Sequence, residues 1–341
     1  MAAGDKIIIP AQAAGFTSLF GHIEKGTGDT LHLPEGMVNI GGNSKGCLLE
    51  SATDWDPAAS ANNDGAVAPL TLGDDVFIYA VQDPSGIAKW LSSKNSTVPT
   101  GYTADNSRKI GGFHYGKVRP LTDAYNAAAA LPTQIIPNSC WDLQHRPTCD
   151  PSGMVEVIPG KLWADIYLAS EDGTAWPNTV PVSIHNATPL TGTEGYSRLD
   201  YSRLVRNAGK RLPDYPEFLA LAYGAPQGAT GSTGRINTGD HTGYGFECVS
   251  CLNVDQPSGN IYQQSSMYYD RSTGTGWKND LNTGKDGANN HGQWYGGEFR
   301  TAVFGGDWRT AAEAGARCVS LNGTPWNVSS NVGIRAVCDS L

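Results

Sequence analysis

Seven cysteines and seven histidines are the side chains with which this chain of 341 residues could do metal, redox or nucleophilic chemistry. Cys248-x-x-Cys251 is half of a zinc-site spacing. A structural zinc takes four ligands, and neither a second CxxC nor two histidines at ligand spacing completes the set. The odd count of thiols (Cys47, Cys140, Cys149, Cys248, Cys251, Cys318, Cys338) argues against a secreted disulfide scaffold, whose cysteines are even in number and denser. Buried thiols, or one or two adventitious disulfides, account for them. No G-x-S-x-G turn occurs, and His145, His185, His241 and His291 stand in unrelated contexts, so a Ser-His-Asp hydrolase has no motif here.

What remains is suited to binding rather than to bond-making. From Phe304 to Cys338 a short apolar strand ends in Gly305-Gly306, followed by Asp307-Trp308. A second strand is expected over about Ala316–Leu321 and a last one over about Gly333–Asp339. Between them lies an Asn/Ser-rich excursion around Pro325-Trp326. Paired glycines supply unusual backbone angles or close approach, and Trp308 and Trp326 are large enough to pin each loop. Small polar residues held between such fixed points have the composition of a binding surface on rigid strands.

This order of Gly-Gly-x-Trp, then Ala316-Arg317-Cys318, then Asn331-x-Gly333-Ile334-Arg335 resembles the C-terminus of the formylglycine-generating-enzyme type of C-type lectin fold. Within it, the segment is most similar to the variable proteins of diversity-generating retroelements. Gly209-Lys210-Arg211-Leu212-Pro213, followed by Phe218 and Ala222-Tyr223-Gly224, resembles that family's G-K-R-L-P helix block. The resemblance spans roughly Pro137 to Leu341. It implies an α+β architecture: a C-type lectin domain over 136–341, with a variable region at about 304–338, preceded by small β-rich domains at 1–45 and 46–135. It also implies a non-enzymatic receptor-binding protein whose surface is rewritten by mutagenic reverse transcription. A phage or prophage tail-fibre role in host recognition follows. A cellular ligand-binding protein and a degenerate enzyme-family scaffold are the alternatives.

By the same resemblance, the interchangeable ligand-binding positions are Asp307, Arg309, Thr310, Ser320, Asn322, Asn327, Ser329, Ser330 and Asn331. Gly305, Gly306, Trp308, Trp326, Gly333 and Arg335 form the frame, with Gly315 beside them. Trp294, Tyr295, Arg309 and Trp326 are the nearby candidates for anchoring a ligand. The oxidase of the superfamily needs a cysteine pair between its Gly-Gly and Arg-Cys motifs; Asp307 to Gly315 holds no thiol, so that chemistry has no redox centre. Calcium-mediated sugar binding needs about six oxygen ligands, several charged. Gln256-Pro257-Ser258 has serine where a carboxylate belongs, and Trp277-Lys278-Asn279-Asp280 carries an insertion. No cofactor is implied, and a structural cation elsewhere stays open.

The rest of the chain must position that segment. Charged residues are 17% and glycines number 42, a balance that favours turns and short strands over helical bundles. A net charge of −9 argues against nucleic acid as partner. The expected partner is a protein or cell-surface receptor. No signal peptide and no apolar run near the ~20 residues of a membrane span are evident; cytoplasmic synthesis is expected, with delivery to a virion or to a cell surface by another route. The N-terminal β-domains would attach the chain or trimerise it; a homo-oligomer and a monomer both fit. Asp75–Val81 reads as a buried strand, Asp83–Gly86 as a turn, Thr122–Leu131 as a short helix closed by Pro132, and Leu162–Leu168 as a core strand. Tyr201, Leu204, Val205 and Ala208 make one helical face that Gly209 ends. Asp214 with Glu217 makes a capping-box start for a second helix.

Overall fold

Short apolar runs punctuated by glycine and proline give short strands, and the described residues are mostly β with two α-helices. The computed structural model describes residues 6–8, 15–41, 45–82, 88–271, 274–278, 282–285, 287–288 and 291–341. The chain forms two compact units. One comprises residues 1–116, 133–146 and 341; the other comprises 117–132 and 147–340. This interleaved division replaces the expected boundaries at 45/46 and 135/136.

In the first unit, Asp75–Gln82 pairs antiparallel with Ala88–Ser93 and with Ser107–Lys117, and Thr133–Ile135 and Trp141–Asp142 also pair with Ser107–Lys117. A four-stranded sheet runs in the order Lys6–Ile8, Lys45–Leu49, Gly36–Asn39, Thr17–Leu19. Gly36–Asn39 finds its hydrogen-bond partner in Lys45–Leu49, so a boundary at 45/46 would cut a sheet. Leu33, Val38, Cys47, Ile78, Ile110 and Ile135 are buried in one continuous core. The expected turn at Asp83–Gly86 lies outside the described residues.

In the second unit, α1 spans Arg198–Asn207 and buries Tyr201, Leu204 and Val205, the expected face. Its start is fixed by Ser197, which forms a capping box with Asp200. Gly209, at φ +69°, turns the chain away at its end. Helix α2, Tyr215–Leu221, starts at the expected Asp214–Glu217 capping box. The expected helix over 122–131 does not form. Only a 3-10 turn, Leu121–Asp123, is present. Tyr125 sits at φ +62°, and the Asn126 side chain accepts from the Ala128 amide, a local hydrogen bond that competes with helix.

The Met154–Ile158, Leu162–Asp165 and Val337–Asp339 strands form one antiparallel sheet. A second sheet has the order Val319–Gly323, Phe299–Phe304, Tyr262–Asp270, Val332–Gly333. The expected strand over 333–339 is therefore split between two sheets, and Arg335 sits at the changeover. Its guanidinium, with no exposed surface, donates to the carbonyls of Asp165 (2.8 Å), Ile166 (2.5 Å), Asp255 (2.6 Å) and Gln256 (3.2 Å) and to Gln263 Oε1 (3.0 Å). The strand starting at Leu162 stops at Asp165 rather than running to Leu168, where the backbone turns its carbonyls toward this cation.

The G-K-R-L-P block serves the same junction. Lys210 makes a buried 2.6 Å pair with Asp165, whose other oxygen accepts from the Ala336 amide. Arg211 joins Glu217 to Asp339. Removing the Arg335 fork strands several buried acceptors, each costing about 1–3 kcal/mol, and a lysine cannot replace the fork geometry. Arg335→Lys should lower stability by at least about 3 kcal/mol in thermal or denaturant unfolding, whereas Arg317→Lys, at an exposed site, should stay within about 0.5 kcal/mol.

Candidate ligand-binding surface

The Phe299–Phe304 strand is central in its sheet and apolar at its end; Phe304 is buried and stacks on Phe218 of α2 at 4.9 Å. The chain then leaves through Gly305 (φ +88°) and Gly306 (φ +82°). A Cβ at Gly305 would stand 2.5 Å from the Pro257 carbonyl oxygen, so both angle and space require glycine there. Beyond this exit, Asp307–Glu313 forms a tight turn, Val319–Gly323 returns as an edge strand, and 324–331 crosses to the Val332–Gly333 strand. The crossing is held at Gly192, whose amide donates to the Ser329 carbonyl at 3.0 Å. A Cβ on Gly192 would meet the Ser329 nitrogen at 2.1 Å.

Six of the nine expected positions, Arg309, Ser320, Asn322, Asn327, Ser329 and Asn331, line one concavity of about 330 Å³. Ser320 and Asn322 reach it from alternate positions of the edge strand. Arg309, Asn322 and Asn327 are exposed, and Ser320 and Ser329 half-buried. Ser330 is exposed but does not line the concavity, and Thr310 lies half-buried in the turn below. Tyr262, Gln264 and Thr324 also line it, with Val303, Gly323 and Val332. The alternation of Tyr262 and Gln264 along one strand was the available signal for them, but their strand lies far earlier in the chain. Gln264 Oε1 and Thr324 Oγ1 are buried there without a hydrogen-bond partner.

Two of the nine, Asp307 and Asn331, are buried, at 1% and 7% exposed. Asp307 accepts from the Arg309 amide and Nε (3.0 and 2.9 Å), Thr310 Oγ1 (2.9 Å) and Asn331 Nδ2 (2.5 Å). It thereby ties the turn after the glycine pair to the end of the 324–331 crossing. Burial alone would raise its pKa, but the bonds from Arg309, Thr310 and Asn331 outweigh that and hold the carboxyl below the usual carboxylate range.

The two frame tryptophans are half-buried rather than core. Trp326 stacks against Trp294 at 6.0 Å and faces Phe299 at 6.5 Å. Trp308 carries the Arg309 guanidinium 5.8 Å from its ring centre. Of the other anchor candidates, Trp294 is half-buried, and Tyr295 is 62% exposed beside Trp277.

The chemistry available is hydrogen bonding and aromatic contact. Among the described residues, no group of three or more His, Cys, Asp or Glu could hold a metal. All seven cysteines are free thiols, and none lines the concavity; burial pushes Cys248 up to about 12. The pair Asn279-Asp280 lies outside the described residues. No described helix is long and apolar enough to cross a membrane.

A depressed folded-state pKa contributes stability that is present above the unfolded value and lost as pH falls through the folded one. Asp307→Asn should therefore cost about 1–3 kcal/mol at neutral pH. The gap to the unsubstituted protein should close as pH drops below 3.8, the ordinary value for this carboxyl. Unfolding curves across pH test this, with Ser330→Ala expected to stay within about 0.5 kcal/mol throughout.

Comparison with known proteins finds relatives of this chain. A family model described as the Mtd second domain matches residues 28–142. The tail fiber receptor-binding protein of Bordetella phage BPP-1 is 32% identical over 295 residues, covering 80% of this chain and 72% of that protein. The solved U1 variant of the major tropism determinant superposes with a TM-score of 0.76 at 26% identity, over 97% of this chain and 87% of that one. The P3c variant gives 0.77 at 26% identity, over 100% and 88%. With its interleaved units, capped helix pair and glycine-framed C-terminal segment, the chain belongs to the major tropism determinant (Mtd) family of tail-fibre receptor-binding proteins.

Proposed function

We propose that this protein is the receptor-binding component of a phage tail fibre, carried on the virion, and that it grips a host-surface receptor at the concavity beside the 324–331 crossing. The observation that carries the site is convergence: six positions scattered from 309 to 331 line one wall. The fold supports reading residues 147–340 as a C-type lectin-like domain whose last strands present that wall. The family is non-enzymatic, in keeping with the missing cysteine pair between Asp307 and Gly315.

Within this reading, Arg309, Ser320, Asn322, Asn327, Ser329 and Ser330 are the positions a retroelement would rewrite. Apart from Arg309 and Ser329, which also bond the buried Asp307 and Asn331, their side chains contribute little to folding, since surface changes stay within about ±0.5 kcal/mol. Affinity would come from anchors at the centre of the contact, with Arg309, Tyr262 and the Trp294–Trp326 stack nearest to hand. Buried Gln264 Oε1 and Thr324 Oγ1 offer acceptors to a polar receptor group.

Two measurements test this. Sequencing beside the gene should reveal a near-copy of the 304–338 coding segment, differing at adenines and adjacent to a reverse transcriptase gene. Labelled protein should adsorb to susceptible cells in a bacterial panel, and Asn322→Ala with Asn327→Ala should cut adsorption about tenfold or more, the effect of losing about 1.4 kcal/mol, while thermal unfolding stays unchanged. Undiminished adsorption by that variant would move the receptor contact elsewhere.

A further inference from the structure

We propose that the cavity between α1, the Lys210–Leu212 segment and the Ser266–Tyr268 stretch binds the acid group of a small hydroxylated ligand: a sugar-sized carboxylate, sulfate ester or phosphate ester. The cavity holds about 420 Å³ and shares no residue with the concavity described above. That volume lies within the range of about 300–1,000 Å³ usual for small-molecule sites and exceeds what a bare inorganic anion fills.

Four cations line it, Arg198, Arg206, Lys210 and Arg211, on a chain whose net charge is −9. Two of them are neutralised within the fold. Lys210 is paired with Asp165, and Arg211 with Glu217 and Asp339. The other two have no carboxylate partner among the described residues. Arg198 is only 3% exposed. Its Nε donates to the Ser265 carbonyl at 2.7 Å, one terminal nitrogen donates to Ser202 Oγ, and the guanidinium lies 4.6 Å from the Tyr268 ring centre. Every one of these partners is uncharged.

A buried cation without a counter-charge is costly. The fold relieves that cost only in part: burial lowers the Arg198 pKa, Tyr268 opposes that, and the like charge of Arg206 adds a lesser lowering. An acid group seated between Arg198 and exposed Arg206 supplies the missing charge through charge-assisted hydrogen bonds. The hydroxyls of Ser202, Ser266 and Tyr268 surround that position with partners for a hydroxylated body.

Titration calorimetry on the whole chain at constant ionic strength tests the assignment with glucuronate, glucose 6-sulfate, glucose 6-phosphate and neutral glucose. At least one acid should bind while glucose does not, and the preferred acid identifies the natural group. Arg206→Gln, at an exposed position that folding does not need, should weaken that binding about tenfold or more. Arg198→Gln should abolish it, with circular dichroism checking that the variant folds. Asn327→Ala, in the other concavity, should leave it unchanged. Binding no tighter than that of glucose, an Arg206→Gln affinity equal to the original, or loss of binding in Asn327→Ala would each overturn the proposal.

Discussion

A single guanidinium holds together the part of the molecule that carries the candidate site. Arg335 stands where the last strand leaves one sheet for another, and its donors go to four backbone carbonyls and one side-chain amide. A planar fork with five fixed donors suits five acceptors converging from three directions; a lysine ammonium does not. Burial pulls its pKa down to about 10, which still leaves it charged at neutral pH. The carbonyls of Asp165 and Ile166 on one side, and of Asp255 and Gln256 on another, are thereby fixed relative to the Tyr262–Asp270 strand. That strand forms the floor beneath the concavity.

Once that junction is set, the loop geometry follows from close backbone contacts rather than from large side chains. The Gly305–Gly306 exit fixes the start of the 307–313 turn, and the Gly192 contact leaves the 324–331 crossing little freedom near its end. Asp307 and Asn331 close it from inside. The segment expected to vary is thus layered: an inner carboxylate–amide tie shapes the loop, and an outer set of Arg, Asn and Ser side chains faces solvent. Changing the outer set alters contact chemistry on a constant backbone. Changing the inner pair alters the backbone itself and leaves buried polar groups without partners.

Local signals read well from the sequence. The apolar face of 201–208, the capping box at Asp214 and the glycines after each helix are local signals, so residue order alone places α1 and α2. The Gly-Gly exit and the split of apolar and polar residues after it are equally local. Three features depend on partners distant in the chain and were not legible. The Ala-rich 122–131 stretch is held out of helix where the Tyr125 amide donates to the distant Gly224 carbonyl at 2.8 Å. The interleaving of the two units rests on strands at 133–135 and 141–142 returning to pair with Ser107–Lys117. The burial of Asp307 requires Asn331 beside it, and an acidic residue after two glycines otherwise looks like a solvated turn.

The concavity and the basic cavity differ in how they can bind. Around the concavity, the segment 296–341 carries four arginines and four acidic residues, so it has no net charge and discrimination rests largely on hydrogen bonds and shape. Such contacts are individually worth about 0.5–1.5 kcal/mol, small enough that exchanging one side chain retunes affinity without abolishing it. In the basic cavity, by contrast, two arginines without acid partners make charge the first criterion, and a single substitution there removes the feature that selects the ligand. A surface meant to change its specificity is better built from the first kind of contact, and a fixed one from the second.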